Sequence, residues 1–295
     1  MRYFVAAGET KSLDADARRG SRGEFATLSD GVTHHEIAGP SDGDLVVFVP
    51  GLTIPLDFWD NVIDSFHRRG LRTLTYSAYG RGLSDRVRTD YGQDLFVRQL
   101  GELLDQIDAR RFHLVGSSMG ALIALAYAPS ARGRLTSLVI SGPAGLGKKS
   151  NPVSRLPKRG PVAPLLGKRV LRKSLLRHLA HNVRDADDAA RLREIVLAGF
   201  AYEGSTFAVL STLMYFPLTD RGELFEVVDH ARVPTLLLWG SEDQVTPAVD
   251  YGRGVELLRP AEDRLIDGSG HMVSFERPAE FSELVGAFLV EQMGR

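Results

Sequence analysis

A mostly parallel α/β sheet with helices on both of its faces is the fold class this sequence predicts, and three features predict it. From Leu45 onward, short apolar runs of strand length alternate with longer runs of helical periodicity. A Gly-x-Ser-x-Gly corner, Gly116-Ser117-Ser118-Met119-Gly120, stands between one such strand and one such helix. A single long stretch, from Gly142 to about Thr219, carries helical patterns and no strand, which reads as an insertion into the sheet.

The bulk numbers suit this. A chain of 295 residues that is 43% hydrophobic and 25% charged has ample apolar surface for a core. Its formal charge of −1 gives no global attraction to nucleic acid, so an electrostatic partner would have to be met by a local patch. The first thirty residues lack an apolar h-region and no run reaches a membrane-spanning length, so a cytoplasmic protein is expected. The absence of cysteine excludes disulfides, thiolate metal sites and a cysteine nucleophile.

In chain order, residues 1–22 are polar without periodicity and are expected to form an extension that lies on the surface or is poorly ordered. Glu24 to Leu28 and Thr33 to Ile37 flank the turn signal Ser29-Asp30-Gly31 and predict an antiparallel hairpin. Leu45 to Val49 is a buried strand, followed by a helix around Phe58 to Arg69, a strand at Arg72 to Tyr76 and a helix around Asp94 to Ile107. Phe112 to Val115 is the strand that enters the corner, and the Ala- and Leu-rich run from Met119 is the helix that leaves it. Further strands are expected near Leu138 to Ser141, Thr235 to Leu238 and Arg264 to Ile266, with a closing helix from about Pro278 to Met293. The core would then comprise residues 23–141 and 220–295, and residues 142–219 an inserted helical cap over the strands' C-terminal edge, where ligands of parallel sheets bind.

The two halves of the inserted stretch differ. The first is basic, with Lys148, Lys149, Arg155, Lys158, Arg159, Lys168, Arg169, Arg172, Lys173 and Arg177 preceding any acid. Leu171, Leu175 and Leu179 share a face there, so contact with a membrane surface is one reading and a solvated helix face the plainer one. The second half is apolar and aromatic. Phe200, Phe207, Met214 and Phe216 are candidates for a substrate-binding wall, the alternative being that they pack the cap's own interior.

The corner supplies a nucleophile. A sharp strand-to-helix turn needs small residues two positions either side of its centre, and it projects the central Ser118 hydroxyl clear of the sheet beside a helix N-terminus. A serine hydroxyl needs a base within hydrogen-bond reach, and the base needs an acid to hold its tautomer. His271, in Gly268-Ser269-Gly270-His271, follows the last strand and falls at the same sheet edge, whereas His34, His35, His67, His113 and His178 read as solvated or structural. Asp243 follows the strand Thr235 to Leu238 and is the expected acid, with Glu242 its nearest rival. No cofactor is expected: Gly80-Arg81-Gly82 is no dinucleotide fingerprint because Asp85 stands at the third glycine, and His178 with His181 lacks a carboxylate to complete a metal site.

With Ser118, Asp243 and His271 in that order, the chain resembles the α/β-hydrolase family over roughly Glu24 to Met293. The motifs that carry the resemblance are the Gly-Ser-Ser-Met-Gly corner, Gly240 with Asp243 and Pro247, Gly270-His271 followed by Glu276-Arg277-Pro278, and Pro50-Gly51 followed by Trp59. The resemblance implies the α/β-hydrolase fold and an oxyanion hole made by the N–H groups of Leu52 and Met119. It also implies serine-dependent cleavage of a carboxylic ester, as in carboxylesterases and small acylglycerol lipases. Two departures stand out. Pro50 replaces the family's usual histidine, whose imidazole commonly braces the oxyanion loop, and the loop Tyr76 to Ser84 lacks the Asp and Arg usual at the positions of Ser77 and Tyr79. Ser118 argues against epoxide hydrolases and dehalogenases, which use a carboxylate nucleophile. Carbon–carbon bond hydrolases, lactonases and aminopeptidases share the triad and stay open, as do a hydrolase-like ligand receptor and a biosynthetic cyclase.

Overall fold

Among the described residues eight strands form one sheet: β1 (Glu24–Thr27), β2 (Val32–Ala38), β3 (Leu45–Val49), β4 (Arg72–Tyr76), β5 (Phe112–Ser117), β6 (Leu135–Ser141), β7 (Thr235–Gly240) and β8 (Glu262–Ile266). They are seen in a computed structural model that describes residues 1–148, 152–157, 162–171, 174–175, 179, 181–231 and 233–293. The sheet order is β1-β2-β4-β3-β5-β6-β7-β8. β1, β2 and β4 pair antiparallel and every pairing from β4 through β3 to β8 is parallel. The expected fold class is the one observed.

The central strands are apolar throughout because both of their faces are covered. β5 and β7 are buried along their whole length, and Val46 to Val49 of β3 are inaccessible. On one face the helices Gln93–Gln106, Met119–Tyr127 and Gly222–Ala231 pack against one another, and on the other Asp60–His67 packs against Pro278–Met293. Helix Gln93–Gln106 buries Leu95, Phe96, Gln99, Leu100, Leu103 and Leu104, a stripe at the spacing of an amphipathic helix. Between β6 and β7 the described chain is helical, with Val162–Leu166, Ala186–Gly199 and Ser205–Tyr215 its principal helices. No helix among the described residues is long and apolar enough to cross a membrane.

The amino-terminal stretch differs from expectation. Phe4 and Ala6 are buried, the Thr10 and Lys11 N–H groups both donate to Ala201 O at 2.9 Å, and Glu203 N–H donates to Lys11 O at 2.9 Å. Buried Glu9 accepts from the N–H groups of Gly204 and Thr206, capping a helix, Ser205–Tyr215, that has no side-chain cap of its own. Phe207 lies 5.1 Å from the Tyr3 ring and 5.9 Å, edge on, from Phe4, with Tyr91 at 6.1 Å. The segment is held because it carries the rings and the carboxylate that this helix lacks.

The basic half of the inserted stretch presents a different face from the one its spacing suggested. Leu171, Leu175 and Leu179 are buried, while Val162, Leu165 and Leu166 are the large apolar residues exposed there. Lys148, Arg155, Lys168 and Arg169 are exposed; Lys149, Lys158, Arg159, Arg172, Lys173, Arg177 and His178 lie outside the described residues.

Of the histidines expected to be solvated or structural, His34, His35 and His113 are buried, and His67 Nε2 lies 2.9 Å from Thr73 Oγ1. His113, in β5, sits 2.8 Å from Ser137 Oγ through Nδ1, and burial pushes its pKa down to about 4 from an ordinary 6.5. Burial lowers His34 and His35 in the same direction. The unfolded chain therefore takes up these protons first as the pH falls. The stability they contribute is complete above about 6.5 and is lost as the pH drops toward 4. For His113 alone the loss approaches ~3 kcal/mol. Urea unfolding of wild type should show a midpoint that declines between pH 7 and pH 4, and His113→Asn should flatten that decline.

Phe207→Ala should remove the ring that joins the amino-terminal stretch to the Ser205–Tyr215 helix and lower unfolding stability by about 3–5 kcal/mol, read by urea titration at neutral pH. The prediction fails if the midpoint stays near wild type.

Candidate active site

β5 ends in a corner that only glycines can make. A Cβ on Gly116 would lie 2.7 Å from Gly120 O, and one on Gly120 would lie 2.2 Å from Val49 O. Ser118, between them, takes φ 56° and ψ −119°, a conformation costly for a residue with a side chain. It is pinned by its own N–H donating to Ser141 O at 3.0 Å and by its carbonyl accepting from Ala121 and Ala144 N–H. Ser118 is half-buried while its neighbours in β5 and the following helix are buried, so this one side chain reaches outward.

Strand register brings the other residues to the same edge. Ser117 of β5 pairs with Ser141 of β6, Ser141 pairs with Leu238 of β7, and Gly240 pairs with Ile266 of β8. The loops after β5, β7 and β8 therefore leave the sheet side by side. His271 Nδ1 lies 2.8 Å from Asp243 Oδ2 and both residues are buried. Asp243 Oδ1 accepts from the N–H groups of Val245 at 2.8 Å and Thr246 at 2.9 Å, and the Thr246 hydroxyl donates to Oδ2 at 2.8 Å. With Nδ1 facing a carboxylate, the proton belongs on Nδ1 and Nε2 is left as the basic nitrogen. Gly142, at φ 48°, packs against this pair: a Cβ there would lie 3.3 Å from Asp243 Oδ2 and 3.4 Å from His271 Nδ1.

Glu242 has a different setting. Its carboxylate is half-exposed and pairs with Arg184 Nε at 2.7 Å. The acid beside the histidine is Asp243.

The histidine loop is itself clamped. His271 and Met272 N–H donate to Asn182 O at 3.0 and 3.1 Å, and Glu276 accepts from Gly270 N–H at 2.7 Å and from Ser269 Oγ at 3.2 Å. Burial raises the Glu276 pKa and the donated N–H groups oppose the rise. A Cβ on Gly240 would fall 2.0 Å from Gly270 O, so the acid and histidine loops touch through backbone. Thr246 and Asn182 escaped sequence reasoning. The Glu276-Arg277-Pro278 motif was visible, but not what Glu276 holds.

On the opposite side of Ser118 lies the loop after β3. A Cβ on Gly51 would come within 3.5 Å of Ser118 Cβ, which places Leu52, the next residue, beside the corner. Met119 opens the corner helix. Among the described residues, neither the Leu52 nor the Met119 N–H donates to a protein acceptor. The loop Tyr76 to Ser84 supports this side: Leu56 N–H donates to Ser77 Oγ at 3.1 Å, and buried Gln99 accepts from Tyr79 N–H at 3.0 Å.

The four apolar residues expected to form a substrate wall are all buried in the hydrophobic core. Phe207 belongs to the cluster with Tyr3, Phe4 and Tyr91, and Phe216 lies 5.9 Å from Phe96. Phe200 and Met214 are likewise buried. The packing of Phe207 and Phe216 is accounted for by protein neighbours, as in the reading that they fill an interior. No cluster of three or more His, Cys, Asp or Glu able to hold a metal occurs among the described residues.

Comparison with known proteins agrees with this fold. A sequence model described as "Alpha/beta hydrolase family" matches residues 46–284. The 2-hydroxy-6-oxononadienedioate/2-hydroxy-6-oxononatrienedioate hydrolase of Burkholderia vietnamiensis is 30% identical over 268 residues, covering 87% of this chain and 90% of that protein. Monoacylglycerol lipase abhd6-B of Xenopus laevis is 26% identical over 264 residues, covering 85% of this chain and 76% of that protein. Among solved structures, a thermophilic esterase from Thermogutta terrifontis superposes with a TM-score of 0.77 at 18% identity, over 92% of this chain and 99% of its own.

If the buried carboxylate beside His271 orients it, Asp243→Asn should lower kcat by about 10⁴-fold by favouring the wrong tautomer. Glu242→Gln, which breaks only an exposed ion pair, should leave kcat and Tm near wild type. Ester turnover by the two purified variants decides, and a severe loss in Glu242→Gln alone reverses the assignment.

Proposed function

The chain belongs to the alpha/beta hydrolase family, and on that footing we propose that it is a serine-dependent hydrolase that cleaves a carboxylic ester of an apolar substrate through an acyl-enzyme. The observation that carries this reading is the juxtaposition at one sheet edge of a strained, half-exposed Ser118 and a buried His271–Asp243 pair at 2.8 Å.

In the proposed cycle Ser118 Oγ attacks the ester carbonyl carbon as His271 Nε2 takes the hydroxyl proton. The carbonyl oxygen becomes an oxyanion held by the Leu52 and Met119 N–H groups. Collapse breaks the bond to the alcohol, which leaves with the proton from His271, and the acyl group stays on Ser118. Water, deprotonated by His271, then attacks the acyl carbon and returns Ser118 with release of the acid. Asp243 stabilises the imidazolium formed in both halves. Residues 142–219 act as a cap in this reading, and apolar residues of its second half set which acyl group is accepted.

A second reading, hydrolysis of a carbon–carbon bond, is favoured by the 30% identical relative, whose name specifies a dienedioate substrate. The two differ in the group expelled from the tetrahedral carbon attached to Ser118, a carbanion equivalent in place of an alkoxide, and profiling against esters, amides and vinylogous diketones separates them. A ligand receptor on the same fold would label but turn over slowly or not at all.

A fluorophosphonate should label Ser118, and Ser118→Ala should abolish labelling and lower kcat for a short-chain nitrophenyl ester by a thousandfold or more. Ser117→Ala should label normally. An adduct on Ser117 in the digested wild-type protein would sink the assignment of the nucleophile.

A further inference from the structure

Pro50 leaves the loop after β3 without an imidazole brace, and position 79 of the supporting loop holds tyrosine where an arginine was expected. The fold brings in an arginine from two residues further on. Arg81 is 2% exposed, and its guanidinium donates to three acceptors: Nε to Leu52 O at 2.7 Å, Nη1 to Tyr79 O at 2.8 Å, and Nη2 to Thr212 Oγ1 at 2.9 Å. The Thr212 hydroxyl in turn donates to Ala208 O at 2.8 Å. The guanidinium carbon stands over the Phe96 ring at 5.4 Å and the Tyr91 ring at 5.9 Å. Among the described residues no carboxylate pairs with it.

A buried cation met only by neutral acceptors costs stability that a neutral side chain of similar length would not. Burial lowers the Arg81 pKa to about 10, so the group is still a cation at neutral pH. Two features of the site give that charge something to do. Gly51 precedes Leu52, and glycine is the residue that least resists rotation of the peptide carrying the Leu52 N–H. The Leu52 N–H and the Leu52 carbonyl lie on successive peptides joined at the Leu52 Cα; Gly51 packing on Ser118 restrains the first, and the Arg81 grip on the Leu52 carbonyl restrains the second.

We propose that Arg81 is the positioning residue of the oxyanion loop: by holding the Leu52 carbonyl it anchors the peptide that follows Leu52 and so limits how far the Leu52 N–H can turn, and it keeps a positive charge behind the loop where negative charge develops. It replaces the imidazole displaced by Pro50, and it ties the loop through Thr212 to the Ser205–Tyr215 helix. The proposal rests on the serine-hydrolase reading.

A mispositioned donor loses part of the hundred- to thousandfold that a deleted oxyanion donor costs. Arg81→Met should therefore lower kcat for a nitrophenyl ester by about 10- to 100-fold and slow fluorophosphonate labelling in proportion, with KM within about twofold of wild type. Arg81→Lys, which keeps the charge and one donor for Leu52 O, should recover part of the loss. Thr212→Val removes one acceptor and leaves the Leu52 bond in place, so it should lower Tm while kcat stays within about twofold. That variant separates a positioning role from a merely structural one. A folded Arg81→Met with wild-type kcat, or a Thr212→Val that loses as much kcat as Arg81→Met, overturns the proposal. Should Arg81→Met fail to fold, Arg81→Lys decides against Thr212→Val in the same assay: a severalfold loss of kcat in the lysine variant alone supports the proposal, and equal rates overturn it. Wild type that neither labels nor turns over ester removes the serine-hydrolase reading and this proposal with it, an outcome distinct from an active wild type with indifferent Arg81 variants.

Discussion

Everything at the candidate site depends on how closely the start of the Met119–Tyr127 helix approaches the end of β3. The separation leaves no room for a Cβ on Gly120, which would come within 2.2 Å of Val49 O. That contact sets two things together. It forces the chain through a positive φ at Ser118, and it brings the loop after β3 against Ser118 so that Gly51 and the serine touch. A non-glycine residue in that region costs of order 1–3 kcal/mol and persists only when its surroundings over-determine it. Here three backbone hydrogen bonds on Ser118 do so, one through its N–H and two through its carbonyl. Strain and placement have one cause.

From the corner outward, parallel register carries the geometry to the acid and the base. Adjacent parallel strands deliver the loops at their C-terminal ends to one edge; β5 ends level with β6 and β7 with β8, the second pair running two residues further. Inside those loops the buried polar groups are met largely by neutral donors and acceptors. Asp243 has two N–H groups and a hydroxyl besides His271, and Arg81 has two carbonyls and a hydroxyl. Such partners satisfy hydrogen bonds without cancelling the ion's charge. In the proposed cycle both charges are then free to act, the carboxylate on the imidazolium that forms and the guanidinium on the loop after β3.

What could be read from the sequence follows from which contacts are local. β4 and the closing helix Pro278–Met293 fall at the expected residues because continuous apolar runs and helical periodicity are properties of a short window. Ser118, Asp243 and His271 could be located because each sits on a loop whose position is fixed by a strand immediately before it. Short helices such as Tyr251–Leu258 went unread, being too brief to show a period. Contacts between distant parts of the chain were invisible. Nothing in residues 1–22 announces that Phe4 and Glu9 pack on a helix two hundred residues away, so Phe207 could be read as a substrate wall or as packing of the cap's own interior while two of its ring partners, Tyr3 and Phe4, lay at the other end of the sequence. Arg81 was hidden for a related reason. Reading the motif by position registered an arginine missing at Tyr79 and gave no role to Arg81, whose guanidinium reaches the carbonyls of Leu52 and Tyr79.

The same long-range contacts determine which parts of the 142–219 segment can shift. The Ser205–Tyr215 helix is joined to the amino-terminal stretch through Glu9 and Phe207, to the supporting loop through Thr212 and Arg81, and to Arg86 through Ser205. Arg86 is half-buried and gives its other donors to the carbonyls of Gly82, Ser84 and Gly199. Moving this helix would take the Thr212 hydroxyl from Arg81, the Ser205 hydroxyl from Arg86 and two N–H donors from buried Glu9, and each buried polar group that loses a partner costs stability. The loop after β3, the Tyr76 to Ser84 loop and this helix are therefore joined by buried hydrogen bonds, although in sequence the helix belongs to the long stretch between β6 and β7. Shifting the helix breaks the Thr212 tie and leaves the Arg81 bond to the Leu52 carbonyl in place, so the loop after β3 is held first by the guanidinium and only second by the helix.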